Sequence, residues 1–309
     1  MDKYTKKTRQ WLDQRFKLTD SEGVYFAHQP IYGFRKGPTE ADLIGRYIIT
    51  FQTMNMLAYL NFNSFLDVGG AEGYKAALVK SLFNIEVRSS DLSGEACKRA
   101  KEIYNIDGDP IDICKLPYND NQFDVVLCSE TLEHVPNFTH ATLELLRVSR
   151  KAVVITVPHE SDNVIKRYIK NPHAHLHSFK TNSFNFSSDI AKKIIYKKII
   201  FSPLNFINRV LYSKKRSAEE CTHFLSRLNN LAEPLTSRIF GEKTAICMMN
   251  TDCIATKFLP FYSGFLFVLF KDFNCYSKTN HMKITPRQII DFKVPLHKLN
   301  QISDISNFK

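Results

Sequence analysis

The sequence predicts an α/β fold of the doubly wound kind, a mostly parallel seven-stranded sheet with helices on both faces. Three observations predict it. Runs such as Val125-Val126-Leu127-Cys128 and Ala152-Val153-Val154-Ile155-Thr156-Val157 are apolar at both odd and even positions, as parallel strands covered on each side must be. Strand-like and helix-like segments alternate through residues 63–160. The first of these strands runs directly into a glycine-rich turn, Gly69-Gly70-Ala71-Glu72-Gly73, followed by a helical pattern.

Taken in order, the chain opens with a short basic helix over 6–16 and a turn-rich segment over 23–33. Apolar residues at helical spacing (Leu43, Tyr47, Ile48, Phe51, Met54, Leu57) predict a helix over 40–60, with Pro38-Thr39 placed to start it. Strands are expected at 64–68, 85–89, 123–128 and 152–157, the last stopped by Pro158. Helices are expected at 74–82, 93–104 and 140–149, with Ser93 as an N-cap. Beyond Glu160, strands at 194–201, 245–255 and 264–270 complete the seven, and a basic helical region occupies 203–231. The expected division is an N-terminal helical cap or lid (1–62), a ligand-binding core (63–201), and a basic insertion with final strands and a C-terminal tail (202–309).

Composition narrows the setting. Of 309 residues, 44% are hydrophobic and 24% charged, which is ordinary for a folded protein. No apolar run follows the basic residues of Met1-Asp2-Lys3-Tyr4, which argues against a secretory signal. The longest apolar stretch, 258–270, is interrupted by Pro260 and Gly264 and falls short of the roughly 20 residues a spanning helix needs. Seven cysteines without a Cys-x-x-Cys pair point to free thiols in a reducing compartment, neither a zinc site nor a disulfide framework. A cytoplasmic protein is expected. The net charge of +11 is unevenly spread: residues 1–160 hold 19 Lys+Arg against 21 Asp+Glu, and residues 161–309 hold 23 against 10. The basic half, with Lys214-Lys215-Arg216, suggests an anionic partner such as a phosphate group, nucleic acid or the membrane periphery. The alternative is a solvated basic surface.

The chemistry-bearing residues cluster between 67 and 135. In Asp67-Val68-Gly69-Gly70-Ala71-Glu72-Gly73, glycines stand two and six residues after a carboxylate, so the backbone can turn sharply and approach a ligand. This is not the Gly-x-Gly-x-x-Gly of nicotinamide-binding proteins. Asp91, in Ser90-Asp91-Leu92-Ser93, ends the second strand, where an acid can accept ribose hydroxyls. Asp112-Ile113-Cys114-Lys115-Leu116-Pro117-Tyr118 follows, and then Phe123-Asp124-Val125-Val126-Leu127-Cys128-Ser129-Glu130-Thr131-Leu132-Glu133-His134-Val135.

These four elements, in this order and spacing, resemble the motifs of the Rossmann-like class I S-adenosylmethionine-dependent methyltransferases, in particular the branch with quinone, sterol and sugar methyltransferases. Ala71 departs from the pattern, standing where a glycine is usual. The resemblance implies S-adenosyl-L-methionine as cofactor, bound by Asp67, Gly69, Gly70, Ala71 and Gly73, with Asp91 and Leu92 at the ribose. It further implies Asp112 at the adenine amino group, Ile113 beside the ring, and Cys128 and Ser129 near the methionine moiety. Methyl transfer to oxygen or nitrogen of a small-molecule, glycan or lipid-linked acceptor is the expected activity.

A cationic sulfonium already activates its methyl group, so the protein need only align the acceptor and exclude water. No metal is expected. His159 follows the strand at 152–157, and His173, His175 and His177 alternate, sharing one face if the chain is extended. His159, His175 and His177 are therefore read as proton acceptors or substrate clamps, against a structural role in a segment closing the pocket. A three-histidine metal site is the weaker alternative. His28, Gln29 and Tyr32 are read as lid residues touching the acceptor, against a loop packed for stability, and at least one of Glu133 and His134 as structural. A nucleic-acid methyltransferase is disfavoured, because no Asn/Asp-Pro-Pro-Tyr/Phe tetrapeptide follows the fourth strand and no RNA-binding module is recognisable. A silent scaffold is disfavoured by the intact Asp67, Asp91 and Asp112.

Overall fold

Strands apolar on both faces need cover on both sides, and the structure supplies it. The structure, a computed structural model, describes residues 2–34, 43–168, 174–199, 241–258 and 262–297. Among these, six strands form one sheet: β1 (Ser64–Val68), β2 (Glu86–Ser90), β3 (Phe123–Ser129), β4 (Ser149–Pro158), β5 (Lys193–Ile199) and β6 (Gly264–Phe270), in the order β2-β1-β3-β4-β6-β5. β6 runs antiparallel to both its neighbours, and the remaining pairs are parallel. The helices are α1 (Lys3–Phe16), α2 (Leu43–Leu57), α3 (Tyr74–Phe83), α4 (Gly94–Tyr104), α5 (Phe138–Val148), α6 (Asp162–Tyr168), α7 (Gly241–Phe258) and α8 (Pro286–Asp291).

The period-two alternation of a strand divides the core in two. Phe65, Val125, Leu127, Val154, Leu266 and Val268 pack with Tyr47, Phe51 and Met54 of α2 and Met249 of α7. Their sequence neighbours Leu66, Val126, Val153, Ile155 and Phe267 pack on the opposite side with Ala141, Leu145 and Leu146 of α5. Each such side chain, fully buried, stabilises the fold by roughly 1.5–3 kcal/mol. Local signals agree with this packing. Ser93 caps α4, its hydroxyl accepting the Ala96 N–H at 3.3 Å.

One expected strand is wrong, and with it the count of seven. Residues 245–255 lie inside α7, which leaves six strands among the described residues. Ala245, Met249 and Asp252 are buried at spacings of four and three, a helical face. Asp252 makes that face hard to see as apolar, yet Gln52 of α2 donates a 2.5 Å hydrogen bond to it from 200 residues away. Pro38-Thr39, His173, and the basic region 203–231 with Lys214-Lys215-Arg216 lie outside the described residues. No described helix is long and apolar enough to cross a membrane.

Asp124, at the start of β3, ties three strands together at the end remote from the glycine turn. Its carboxylate is 1% exposed and accepts the Asn63 N–H at 2.8 Å, Arg150 Nε at 2.6 Å and Lys151 Nζ at 3.1 Å. Burial pushes its pKa up, but the Asn63 N–H and the two cations outweigh burial and hold it below the ordinary carboxylate value. A lowered folded-state pKa gives stability that is present above the unfolded value and lost as pH falls through the folded one. Asp124→Ala should therefore cost about 2 kcal/mol near neutral pH, read by urea unfolding. The difference from wild type should shrink below about pH 4. A deficit independent of pH would show that the carboxylate charge is not what matters.

Candidate functional site

The strand order reverses direction at β1, flanked by β2 on one side and β3 on the other. In open α/β sheets the crevice beyond the carboxyl ends at such a point is where ligands bind. A cavity of about 460 Å³ lies there, within the range of small-molecule sites.

The glycine turn forms one wall. Gly69 (φ +77°) and Gly70 donate their N–H groups to the Ser90 carbonyl at 2.8 and 3.1 Å, which holds the turn against the end of β2. A Cβ on Gly69 would fall 2.2 Å from Thr131 Oγ1, so only glycine fits. Ala71 adopts φ +49°, a left-handed conformation that costs an L residue roughly 1–2 kcal/mol. That is a physical reason for glycine to be usual there. Gly69 and Ala71 line the cavity, whereas Gly70 faces Ser89 and Asp67, and Gly73 starts α3 against Ala100. Asp67 lies beneath the turn, 1% exposed, and Oδ2 has no hydrogen-bond partner among the described residues. Burial lifts its pKa to about 7, against the pull of Lys75 and with a further push from Asp91.

Asp91 and Leu92 reach the same cavity. Asp91 accepts the Ala71 N–H at 3.0 Å on one oxygen and the Ser93 N–H at 2.9 Å on the other, fastening the turn to the second strand. Burial raises its pKa, opposed by those two N–H groups. Asp112 sits in a tight turn, with Oδ1 accepting the Cys114 N–H at 3.0 Å, and both Asp112 and Ile113 line the cavity.

The carboxyl end of β3 brings a different chemistry. Ser129 lines the cavity and shares a 2.7 Å hydrogen bond with the Thr156 hydroxyl, while Cys128 is wholly buried in the core and does not reach it. Glu130 follows with φ +53°, and a 3-10 turn carries Glu133 and His134. Glu130 Oε1 and Glu133 Oε2 are buried without a hydrogen-bond partner among the described residues. Burial lifts Glu130 to a pKa of about 7, opposed by the Thr156 hydroxyl, Lys75 and His175. Burial and the neighbouring Glu130 hold Glu133 well above the usual carboxyl range.

Of the three described histidines from the acceptor-side reading, the structure brings one to the cavity. His175 lines it, and its Nδ1–H donates to Glu160 Oε2 at 2.7 Å. Burial favours its neutral form, but the hydrogen bond and charge of Glu160 prevail and raise the pKa. His177 instead turns Nε2–H to the Val135 carbonyl at 2.7 Å, with its ring edge-on to Phe138. His159 donates from Nδ1 to the Phe179 carbonyl at 2.6 Å and stacks on Tyr262. Both hold the closing segment in place, away from the cavity wall.

The N-terminal segment also divides. His28 lines the cavity, its backbone N–H donating to the Glu72 carboxylate, and Gln29 accepts from Lys75 Nζ at 3.4 Å. Tyr32 is wholly buried elsewhere, its hydroxyl donating to the Tyr25 carbonyl at 3.1 Å. The sequence reading missed Tyr4, Thr8, Trp11 and Arg15 of α1, which supply a wall of the cavity, and Arg46 and Lys75. Positions 4, 8, 11 and 15 share one face of a helix. Two of the four are polar, so apolar periodicity did not mark them.

Comparison with known proteins bears on the same stretch. The family described as a methyltransferase domain matches residues 66–157. An uncharacterized protein of Methanocaldococcus jannaschii is 34% identical over 96 residues, 31% of this chain, and the chain spans only 42% of that relative's length. Two structures of geranyl diphosphate C-methyltransferase from Streptomyces coelicolor A3(2) share 11% and 12% identity, with TM-scores of 0.51 and 0.50. Each match covers 87% of this chain and 98% of the other, a likeness of fold. Residues 66–157, which run from β1 into β4 and include the glycine turn, match a methyltransferase domain.

Proposed function

We propose that the protein transfers the methyl group of S-adenosyl-L-methionine to oxygen or nitrogen of a small-molecule, glycan or lipid-linked acceptor. The observation that carries this reading is a single cavity whose one side suits a nucleoside and whose other side holds proton acceptors. On the first side, Gly69 and Ala71 allow close backbone approach. Asp91 keeps acceptor capacity for two ribose hydroxyls, since a carboxylate offers about four lone-pair sites and only two are spent on N–H groups. Asp112 and Ile113 provide an acceptor and an apolar surface for the adenine. When bound, the cofactor supplies a methyl group already activated by its sulfonium.

On the second side, Glu130 and His175 stand ready to take the proton that an acceptor oxygen or nitrogen gives up. Trp11, His28 and Gln29 close the cavity from the N-terminal segment and keep water from the reacting atoms. Titration calorimetry on the purified full chain should show saturable one-to-one binding of S-adenosyl-L-methionine. A screen with methyl-labelled cofactor over hydroxyl- and amine-bearing acceptors should then yield a labelled product. A folded protein that binds neither the cofactor nor S-adenosylhomocysteine would end this reading.

A further inference from the structure

Three side chains at the acceptor side of the cavity are arranged as ligands. The ligand atoms of Glu133, His134 and His175 all lie within 4.8 Å of one another. Two come from the turn after β3 and one from the segment at 174–179, and the Leu176 N–H donates to the Glu133 carbonyl at 2.6 Å to fasten the two together. The imidazole rings of His134 and His175 meet with centroids 4.8 Å apart.

The hydrogen bonds behind the rings settle which nitrogen faces the cluster. His134 Nδ1 is 3.2 Å from the Ala174 carbonyl, which can only accept, so Nδ1 carries the proton. His175 Nδ1 is 2.7 Å from Glu160 Oε2, and the same holds. In each neutral ring the Nε2 lone pair is then the ligand atom, and His134 Nε2 lies 3.7 Å from Glu133 Oε1. An imidazole whose far N–H is held by a carboxylate or a backbone carbonyl is the usual outer support of a metal ligand.

A second observation points to a cation. Glu133 is 1% exposed, and its Oε2 has no hydrogen-bond partner among the described residues. Glu130 Oε1, on the same wall, is in the same condition. Two neighbouring buried carboxyls with orphaned oxygens are costly unless something positive satisfies them.

We infer that Glu133, His134 and His175 form a binding site for one first-row divalent cation, with Glu160 as the support of His175. This departs from the expectation of no metal, and the set differs from the alternate histidines, since His177 is engaged elsewhere. Two imidazoles and one carboxylate suit Zn²⁺, Co²⁺ or Fe²⁺ better than Mg²⁺ or Ca²⁺, which prefer oxygen throughout. Three protein ligands leave positions open to an acceptor.

The consequence for the acceptor rests on the methyl-transfer reading; the cation site does not. A hydroxyl oxygen bound to the cation has its pKa lowered. With the Nε2 lone pair of His175 held by the cation, the proton goes to Glu130 alone, and the oxygen lone pair forms the new O–CH3 bond. The C–S bond breaks, its electron pair stays on sulfur, and a neutral thioether remains. The acceptor class is thereby narrowed to hydroxyl compounds, favouring those with a second oxygen able to share the cation.

The test uses the full chain, freed of metal with a chelator and titrated with Co²⁺, followed by visible absorption and by calorimetry. One equivalent should bind, with absorption bands showing nitrogen ligation. His175→Ala should weaken binding at least about tenfold, and Glu160→Gln by about 10–100-fold as an outer support. His281→Ala, at an exposed histidine outside the cluster, should change nothing. His175 is part-exposed, so its alanine variant should fold, and circular dichroism checks this. Absence of stoichiometric Co²⁺ binding, or equal binding by wild type and His175→Ala, overturns the site. Cofactor binding to the metal-free protein is measured alongside. Cofactor binding without Co²⁺ binding sinks the cation site alone, and Co²⁺ binding without cofactor binding sinks the methyl-transfer reading alone.

Discussion

Gly69→Val should abolish S-adenosyl-L-methionine binding while leaving the helical signal in circular dichroism largely intact. Two effects act at the same atom. Gly69 has φ +77°, where a β-branched residue is a conformational outlier. A Cβ there would also lie 2.2 Å from Thr131 Oγ1 and 2.8 Å from its Cγ2. Thr131 hydrogen-bonds the Ser129 carbonyl at 3.2 Å and leads directly into the turn bearing Glu133 and His134. To relieve the clash, the glycine turn must swing into the cavity it lines or give up its bonds to the Ser90 carbonyl. Either movement removes the surface offered to the cofactor. The helices themselves depend on core packing remote from this turn. Gly94→Ala serves as a control, because a Cβ at that position meets only Pro110 at 3.9 Å, and it should bind normally. Wild-type affinity in Gly69→Val would show that this is not the cofactor turn.

What could be read from the sequence was what depends on neighbours in the chain. The two-faced apolar runs of β3 and β4 betray burial on both sides whatever covers them, so those strands were legible without knowing their partners. The glycine turn, Asp91 and the turn at Asp112 were legible for a related reason. They act through local backbone geometry at strand ends. The strand expected at 245–255 failed because Asp252 interrupts the apolar face of a helix, where Gln52, on a distant element, hydrogen-bonds it. The shared face expected of the alternate histidines is not kept by His175 and His177, for a different reason. Shared orientation requires a flat extended chain, but Glu160 draws His175 one way and the Val135 carbonyl draws His177 another. The meeting of Glu133, His134 and His175 depends on a backbone bond between Leu176 and Glu133, and no local pattern carries that. The wall contributed by α1 is invisible for the same reason, since the helix is docked by tertiary contacts such as Ser93 Oγ to Asp13 at 2.6 Å.

Asp91→Ala should weaken cofactor binding by about 1–3 kcal/mol, roughly 5- to 150-fold, the range for stranding buried hydrogen-bond partners. The structure gives the carboxylate two tasks. It fastens the glycine turn by accepting the Ala71 and Ser93 N–H groups, and under the proposed function its remaining lone pairs take the ribose hydroxyls. Alanine removes both, so a loss of affinity alone does not say which task matters. A cofactor analogue lacking both ribose hydroxyls separates them. If the carboxylate meets the ribose, wild type should bind the analogue more weakly than the natural cofactor, by at most the loss seen in Asp91→Ala, which also loosens the turn. The variant should then lose little more when given the analogue, because the contact is already gone. Asp91→Asn keeps the shape and one acceptor oxygen and should fall between the two. An equal further loss for the analogue in wild type and variant would place the carboxylate's role in the turn and not at the ribose. Unchanged affinity in a folded Asp91→Ala protein would remove Asp91 from the site altogether.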